Sequence, residues 1–247
     1  MHTFLKLAWM QTKLYLREPM AVFFTLAFGP LMLVMMGFIF GGQARAELGG
    51  ISQLDYSVPA YIALVVGMTG LTSLPITVTQ RRDMGVLRRY SATPLKPIIY
   101  FMADVVAPVI VTLMGIAILV LMGLFIYKVQ FPGNVWDLVG AVCLTILSFY
   151  ALGFALASLY PNTRVAMVVG NVLVIPVVIF SGAMVPSEVM PAAMNTIAQF
   201  DPLTHAVTLI KGLWFAGAWG DHLLEVGVLG GIFVVCTLIV AFTFKWE

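Results

Sequence analysis

Uninterrupted apolar runs of about 20 residues recur along the whole chain, and they constrain its fold more than any other feature. At about 1.5 Å per residue, such a run reaches about 30 Å, which is the thickness of the hydrocarbon core of a bilayer. Backbone groups in that core have no water to bind, and a helix satisfies them internally. Only 10% of the 247 residues are charged, and the mean hydropathy is +1.02. The sequence therefore predicts an all-α integral membrane protein.

Six segments are predicted to span the membrane: residues 20–40, 59–79, 98–127, 138–159, 165–185 and 223–244. In residues 1–18, three basic side chains fall within a narrow arc of a helical wheel, which favours a helix lying in the membrane interface; a plain basic flank before the first span is the alternative. Residues 186–221 predict two short amphipathic helices that dip into or re-enter the outer leaflet. The second of them is expected to start at Asp201-Pro202, because aspartate accepts free backbone N–H groups and proline suits the first helical position. We expect a single membrane domain over residues 1–247.

One basic stretch, residues 80–96, interrupts the apolar pattern and holds five of the thirteen Lys and Arg residues. If the N-terminus is cytoplasmic, ten of the thirteen lie on the inner side: Lys6, Lys13, Arg17, Arg81, Arg82, Arg88, Arg89, Lys96, Arg164 and Lys245. This bias predicts that both termini and the basic stretch are cytoplasmic. Asp104 lies near the same end of the third span, and we expect it to pair with one of these basic residues.

The side chains needed for several kinds of chemistry are missing or scattered. His2, His205 and His222 are far apart in sequence, and no lysine is followed by Ser or Thr, so the phosphate loop of many ATPases is absent. Cys143 and Cys236 lie deep in apolar runs, which favours free thiols over a disulfide or a metal site. We expect no cofactor in this chain, no enzymatic activity and no nucleic-acid partner. If the protein transports actively, the energy must come from another protein.

Small residues predict close packing of two of the spans. Gly67 and Gly70 lie beside Thr69 and Thr72 on the second span, and Gly227 and Gly231 form a GxxxG pair on the sixth. Such faces usually pack against other helices. A substrate path is the other interpretation of the hydroxyl-bearing face. Candidate path residues are Thr25, Met32 and Met36 on one face of the first span, with Thr69, Thr72 and Asn171.

The basic stretch itself has two interpretations. On a helical wheel its arginines lie to one side, opposite an apolar ridge of Met84, Val86, Leu87 and Tyr90. The arginines suit contact with anionic lipid, and the ridge suits docking into a groove of a soluble protein.

Three segments, taken in order, resemble the ABC-2 family of bacterial ABC exporter permeases. They are LREP at residues 16–19, RRDMGVLRRYSATPL at 81–95, and IPVVIFSGAMVPSEVMPAAMNTIAQFDPLTHAV at 175–207. The resemblance covers the whole chain. The sequence departs from the family pattern at Gln80, where members often carry an acidic residue.

The resemblance implies a permease subunit in the bacterial inner membrane that pairs with a second copy and binds two ATP-binding cassette subunits, which hold ATP and Mg²⁺. It implies export of a hydrophobic or amphipathic molecule such as a drug, an antibiotic or a lipid. Residues 1–18 would be an elbow helix and residues 80–97 the cytoplasmic coupling loop. The ATPase-coupling residues would be Arg81, Arg82, Met84, Leu87, Arg88, Arg89 and Tyr90.

Three alternatives remain open from the sequence. A membrane scaffold or assembly factor would use the same basic stretch to recruit a soluble protein. A channel or secondary carrier would work without an ATPase. The same fold would also suit export of a glycan or glycolipid.

Overall fold

The computed structural model describes residues 2–17, 19–40, 52–86, 97–184 and 190–243. Within these ranges every secondary-structure element is helical, which confirms the predicted all-α fold.

The helices follow one another in the order α1 (His2–Tyr15), α2 (Pro19–Phe40), α3 (Gln53–Met68), a π-helical turn (Thr69–Ser73), α4 (Leu74–Asp83), α5 (Pro97–Phe125), α6 (Val135–Leu159), α7 (Thr163–Phe180), α8 (Ala192–Ala198), α9 (Pro202–Trp214), a 3-10 turn (Trp219–His222) and α10 (Leu223–Thr243). No break separates α3, the π-helical turn and α4, which together form one helix of 31 residues.

Five of the described helices are long and apolar enough to cross a membrane: Gln53–Asp83, Ala103–Phe125, Val135–Leu159, Thr163–Phe180 and Trp219–Phe242. They correspond to the second to sixth predicted spans. The first predicted span corresponds to α2, which has 22 residues and contains a shorter apolar stretch, Thr25–Ile39. The protein is therefore a multi-pass membrane protein, and the count of six spans stays a prediction.

The long helix formed by α3, the π-helical turn and α4 lies at the centre of the bundle. In its most apolar window 78% of residues are buried, against 17% in α7 and 11% in the sixth span. It packs against α2, α5, α6, α7 and α9. A helix that is apolar on all sides needs such surroundings, whereas α7 and α10 present apolar faces to lipid or to another protein.

The central helix is longer at both ends than predicted. It begins where the Ser52 side chain accepts a hydrogen bond from the Leu54 N–H (3.2 Å), and its first turn contains Asp55, which accepts the Gln130 N–H (3.0 Å). At its other end, residues 80–83 belong to α4 rather than to the predicted loop 80–97. Polar residues extend the helix because they find partners on neighbouring segments.

Glycines allow the central helix to approach its neighbours closely. A Cβ added at Gly70 would lie 2.6 Å from the Phe149 carbonyl oxygen of α6, and one at Gly67 would lie 2.7 Å from a Leu203 methyl group of α9. The predicted packing of this face is confirmed. By contrast, no atom of another described segment lies within 4 Å of a Cβ added at Gly227 or Gly231, so no other described helix makes a close contact at the GxxxG pair.

The predicted start of α9 is confirmed. The Asp201 carboxylate accepts the Leu203 N–H at 3.0 Å, and Pro202 is the first helical residue. Burial raises the pKa of Asp201 to about 6, although hydrogen bonds from Leu203 and Thr204 and the nearby His205 act in the opposite direction. Burial therefore makes this capping carboxyl group easier to protonate than a free aspartate.

Candidate functional site

Three consecutive charged residues, Arg81, Arg82 and Asp83, end the central helix. Successive residues of a helix point about 100° apart, so these side chains leave α4 in three directions. Each of them bonds to a different segment of the bundle.

Arg81 pairs with Asp104 of α5. Its Nη1 donates to the carboxylate Oδ1, and the two side chains are only 9% and 7% exposed. Tyr15, Leu74 and Pro108 lie around the pair. The predicted pairing of Asp104 with a basic residue is confirmed, but it is an ion pair between buried side chains rather than one in contact with the aqueous interface.

Arg82 binds the end of α6. Its guanidinium donates to the carbonyl oxygen of Ala157 at 3.4 Å and to that of Tyr160. The last carbonyls of a helix have no partner within it and carry the negative end of the helix dipole, so a cation stabilises them.

Asp83 binds the start of α7. Its Oδ2 accepts the backbone N–H of Thr163 at 2.8 Å and the Thr163 hydroxyl at 2.6 Å. An anion is favoured at the beginning of a helix for the converse electrostatic reason. Asp83 was not among the predicted site residues. Its only signal in the sequence was that of a single acidic residue within a basic stretch.

After Asp83 the helix ends in a turn. Gly85 has a φ of +67°, a left-handed conformation that suits glycine, and its N–H binds the Arg82 carbonyl at 2.9 Å. Met84 is 57% exposed and presents an apolar side chain next to this turn. The other predicted coupling residues, Leu87, Arg88, Arg89 and Tyr90, lie outside the described residues.

Of the six predicted path residues, the structure brings Thr25 and Thr69 into contact. Thr25 and Thr69 are buried, and their hydroxyl oxygens lie 3.4 Å apart. The Thr72 hydroxyl donates to the Met68 carbonyl (2.6 Å), and Asn171 is exposed on α7. Met32 and Met36 are half-buried against the core. Packing explains Thr25 and Thr69 in this conformation, and a transport role for the six residues stays a prediction.

A cavity of about 490 Å³ lies at the opposite end of the bundle from Arg81, between the start of α3, the end of α7 and the helices α8 and α9. The Lys211 ammonium lies 3.5 Å from the centre of the Tyr56 ring. Hydroxyl, amide and imidazole groups complete the polar part of the lining, which includes Asn195, Gln199, Thr204, Thr208 and His222. Aromatic and aliphatic walls therefore meet several polar groups here.

Neither cysteine forms a disulfide: Cys143 is exposed and Cys236 is buried, both as free thiols. In the described ranges, no three His, Cys, Asp or Glu side chains lie close enough together to hold a metal ion.

The bundle of apolar helices, with a charged cluster at one end and a mixed cavity at the other, defines a multi-pass membrane protein. The family model for ABC-2 type transporters matches residues 2–215. The chain belongs to this family, as the resemblance in the sequence implied.

Several proteins similar to this chain are named as transport permeases. The chain is 26% identical over 170 residues to the probable multidrug ABC transporter permease YbhR of Escherichia coli K12, covering 67% of this chain and 46% of that protein. It is 28% identical over 168 residues to the putative transport permease YvfS of Bacillus subtilis, covering 68% and 64%. It is 29% identical over 100 residues to nodulation protein J of Rhizobium leguminosarum bv. viciae, covering 40% and 38%. The match thus spans about half to two thirds of the first two relatives.

Proposed function

We propose that this chain is the permease subunit of an ATP-driven ABC exporter, which moves a hydrophobic or amphipathic molecule out of the cytoplasm or the inner leaflet. The observation that carries the proposal is the family match over residues 2–215, which includes α1 to α9 and the whole basic stretch. The names of the relatives, which include a probable multidrug permease, favour a drug, an antibiotic or a lipid as the substrate.

The energy would enter through a separate ATP-binding cassette subunit, which would bind ATP and Mg²⁺. The sequence supports this division, because it contains no phosphate loop and carries its basic stretch, residues 80–96, between the second and third spans. The exposed side chain of Met84 supports an apolar contact between this stretch and the ATPase subunit.

A second copy of the chain would complete the permease. The described faces of α7 and α10 are mostly exposed, and Asn171 carries an exposed amide in the middle of α7. An amide facing lipid is costly, and a second copy or a substrate would supply the hydrogen-bond partners that it lacks there.

With the positive-inside bias, both termini lie in the cytoplasm of a bacterial inner membrane.

The mixed cavity supports an amphipathic substrate. It would lie at the outer end of the bundle, where apolar walls suit a hydrophobic body and Lys211 and the hydroxyl groups suit a polar head.

The decisive experiment is to search the neighbouring genes for a protein with a GxxxxGK(S/T) phosphate loop, to co-purify the chain with that candidate ATPase and to reconstitute the complex in proteoliposomes. The amphipathic dye Hoechst 33342 and an extract of bacterial lipids would serve as the first probes. We expect a stable complex whose ATPase activity rises with a probe and which moves that probe only when ATP is supplied. The control is an ATPase variant without its phosphate-loop lysine.

The alternatives give different results. A scaffold or assembly factor would bind the soluble partner but transport nothing and respond to no probe. A secondary carrier would transport without the ATPase, and a glycan exporter would respond to a glycolipid but not to the dye.

Reporter fusions at residues 44 and 92 test the orientation of the chain in the membrane. We expect position 92 alone to score as cytoplasmic, and two cytoplasmic scores would overturn this orientation.

A further inference from the structure

The end of the central helix connects the basic stretch to three other spans. Arg81 reaches α5 through Asp104, Arg82 reaches the last carbonyls of α6, and Asp83 reaches the first N–H of α7. Together these contacts place the start of the predicted coupling loop in direct contact with the third, fourth and fifth spans.

Arg82 and Asp83 hold opposite sides of one short turn. This turn, at residues 160–162, joins α6 to α7. Arg82 binds the Tyr160 carbonyl at its beginning, and Asp83 binds both the N–H and the hydroxyl of Thr163 at its end. Two adjacent charges on one helix therefore fix the position of two other helices.

Hydrogen bonds to the adjoining helices also hold the turn at both of its ends. The Asn162 side chain accepts the Val165 N–H at 3.0 Å and so caps α7, while the Tyr160 N–H continues the hydrogen bonds of α6 to the Leu156 carbonyl at 3.1 Å. A displacement of α4 at this end must therefore either carry the turn with it or break the contacts of Arg82 and Asp83.

These contacts also change what the two arginines are expected to do. A guanidinium that binds carbonyl groups of its own chain, or a buried carboxylate, has fewer N–H groups left to bind a soluble protein. Arg81 and Arg82 were predicted to contact the ATPase, whereas the observed partners of both side chains lie inside the permease.

We infer that Arg82 and Asp83 are positioning residues, which transmit movement of the loop after α4 to the turn between α6 and α7, so that the fourth and fifth spans move together with the second. This inference rests on the proposed function, because the movement would start at the ATPase. Contact with the ATPase is left to the loop beyond Asp83.

The test uses the full complex of permease and ATPase in lipid nanodiscs. Cys143 and Cys236 are replaced, and a nitroxide label is attached at position 164, an exposed position at the start of α7. Pulsed electron resonance then measures the distance between the labels of the two copies, with and without trapping by ADP and vanadate. The variants are Asp83→Ala, Arg82→Gln and the milder Thr163→Val. Asp137→Ala is the matched control, because this half-buried acid at the other end of the bundle also accepts a side-chain hydrogen bond (2.8 Å, from Trp219).

We expect trapping to shift the distance in the unsubstituted complex and in Asp137→Ala. In Asp83→Ala and Arg82→Gln, the change in label distance on trapping should fall about fivefold or more relative to the unsubstituted complex. The affinity of the permease for the ATPase subunit should stay within about twofold of the unsubstituted value in all variants. Asp83→Asn should restore part of the shift, since its amide oxygen can still accept the Thr163 N–H.

Three results would overturn the inference. The first is a full shift in Asp83→Ala, Arg82→Gln and Thr163→Val, and the second is no shift in the unsubstituted complex despite trapped nucleotide. The third is a large loss of ATPase affinity in Arg82→Gln, which would make this arginine a docking residue. Failure of the unsubstituted permease to bind the ATPase at all would instead reject the proposed function, and the two failures are therefore distinguishable.

Discussion

Removal of the Asp104 carboxylate should destabilise the protein far more than the loss of an ordinary surface ion pair. The Arg81 and Asp104 side chains are 9% and 7% exposed, so water screens their attraction little and cannot replace the lost partner. Breaking a buried pair by deleting one member costs about 3–5 kcal/mol, because a charge stays buried without its counterion. An exposed pair contributes only about 0–1 kcal/mol. We expect Asp104→Ala to lower the free energy of unfolding by an amount in the first range.

The assay is an unfolding titration with SDS in mixed micelles, followed by circular dichroism. The informative control is the double variant Arg81→Leu/Asp104→Leu, which removes both charges and should recover most of the lost stability, since apolar replacement of a buried pair is often neutral or stabilising. Lys6→Gln, which changes an exposed charge, should stay within about 0.5 kcal/mol of the original. A loss below about 1 kcal/mol in Asp104→Ala, or a double variant as unstable as the single one, would refute the reasoning.

Three further predictions concern the loop, the helix packing and the cap of α9. Reversal of both charges in Arg88→Glu/Arg89→Glu should abolish ATP-driven transport while leaving membrane insertion intact; unchanged export, measured in proteoliposomes, would argue against the coupling loop. Gly70→Ala should reduce the free energy of unfolding by about 1–3 kcal/mol, because a backbone carbonyl oxygen of α6 would lie 2.6 Å from the new Cβ. Gly231→Ala has no atom of another described segment within 4 Å of its new Cβ, so it should be neutral or stabilise the isolated chain by about 0.5–1 kcal/mol. Equal effects of the two variants in the SDS titration would contradict this prediction. Burial raises the pKa of Asp201 from 3.8 to about 6, so this group adds about 3 kcal/mol to the free energy of unfolding below about pH 4, and the contribution should be lost as the pH rises through 6. Asp201→Asn should remove this part of the pH dependence of thermal unfolding. An unaltered pH profile in that variant would contradict the prediction.

Much of the architecture follows from local patterns in the sequence. Apolar length predicted the helical spans, and the Asp201-Pro202 pair predicted the start of α9 because both signals act through the nearest backbone groups. The pairing of Asp104 with a nearby basic residue was also predictable, since a carboxylate in a span requires a partner.

The sequence did not show which basic residue would be that partner, or that Arg82 and Asp83 would each bind another helix. The bonds of Asp83 to Thr163 join residues 80 positions apart, and those of Arg82 to Ala157 and Tyr160 join residues 75 and 78 positions apart. A helical wheel assigns a side chain to a face of its own helix, but it does not say which other segment lies against that face.

The sequence by itself determined that this chain spans a membrane as helices, because apolar length and backbone hydrogen bonding leave a bilayer segment few other forms. It also located the basic stretch and supported the family to which the chain belongs. Only the tertiary structure decided that the first charged residues of that stretch, Arg81 to Asp83, each bind a different segment of the bundle. The physical reason is that charges in an apolar bundle are stabilised by particular partners at hydrogen-bond distance, and the packing of the helices selects those partners.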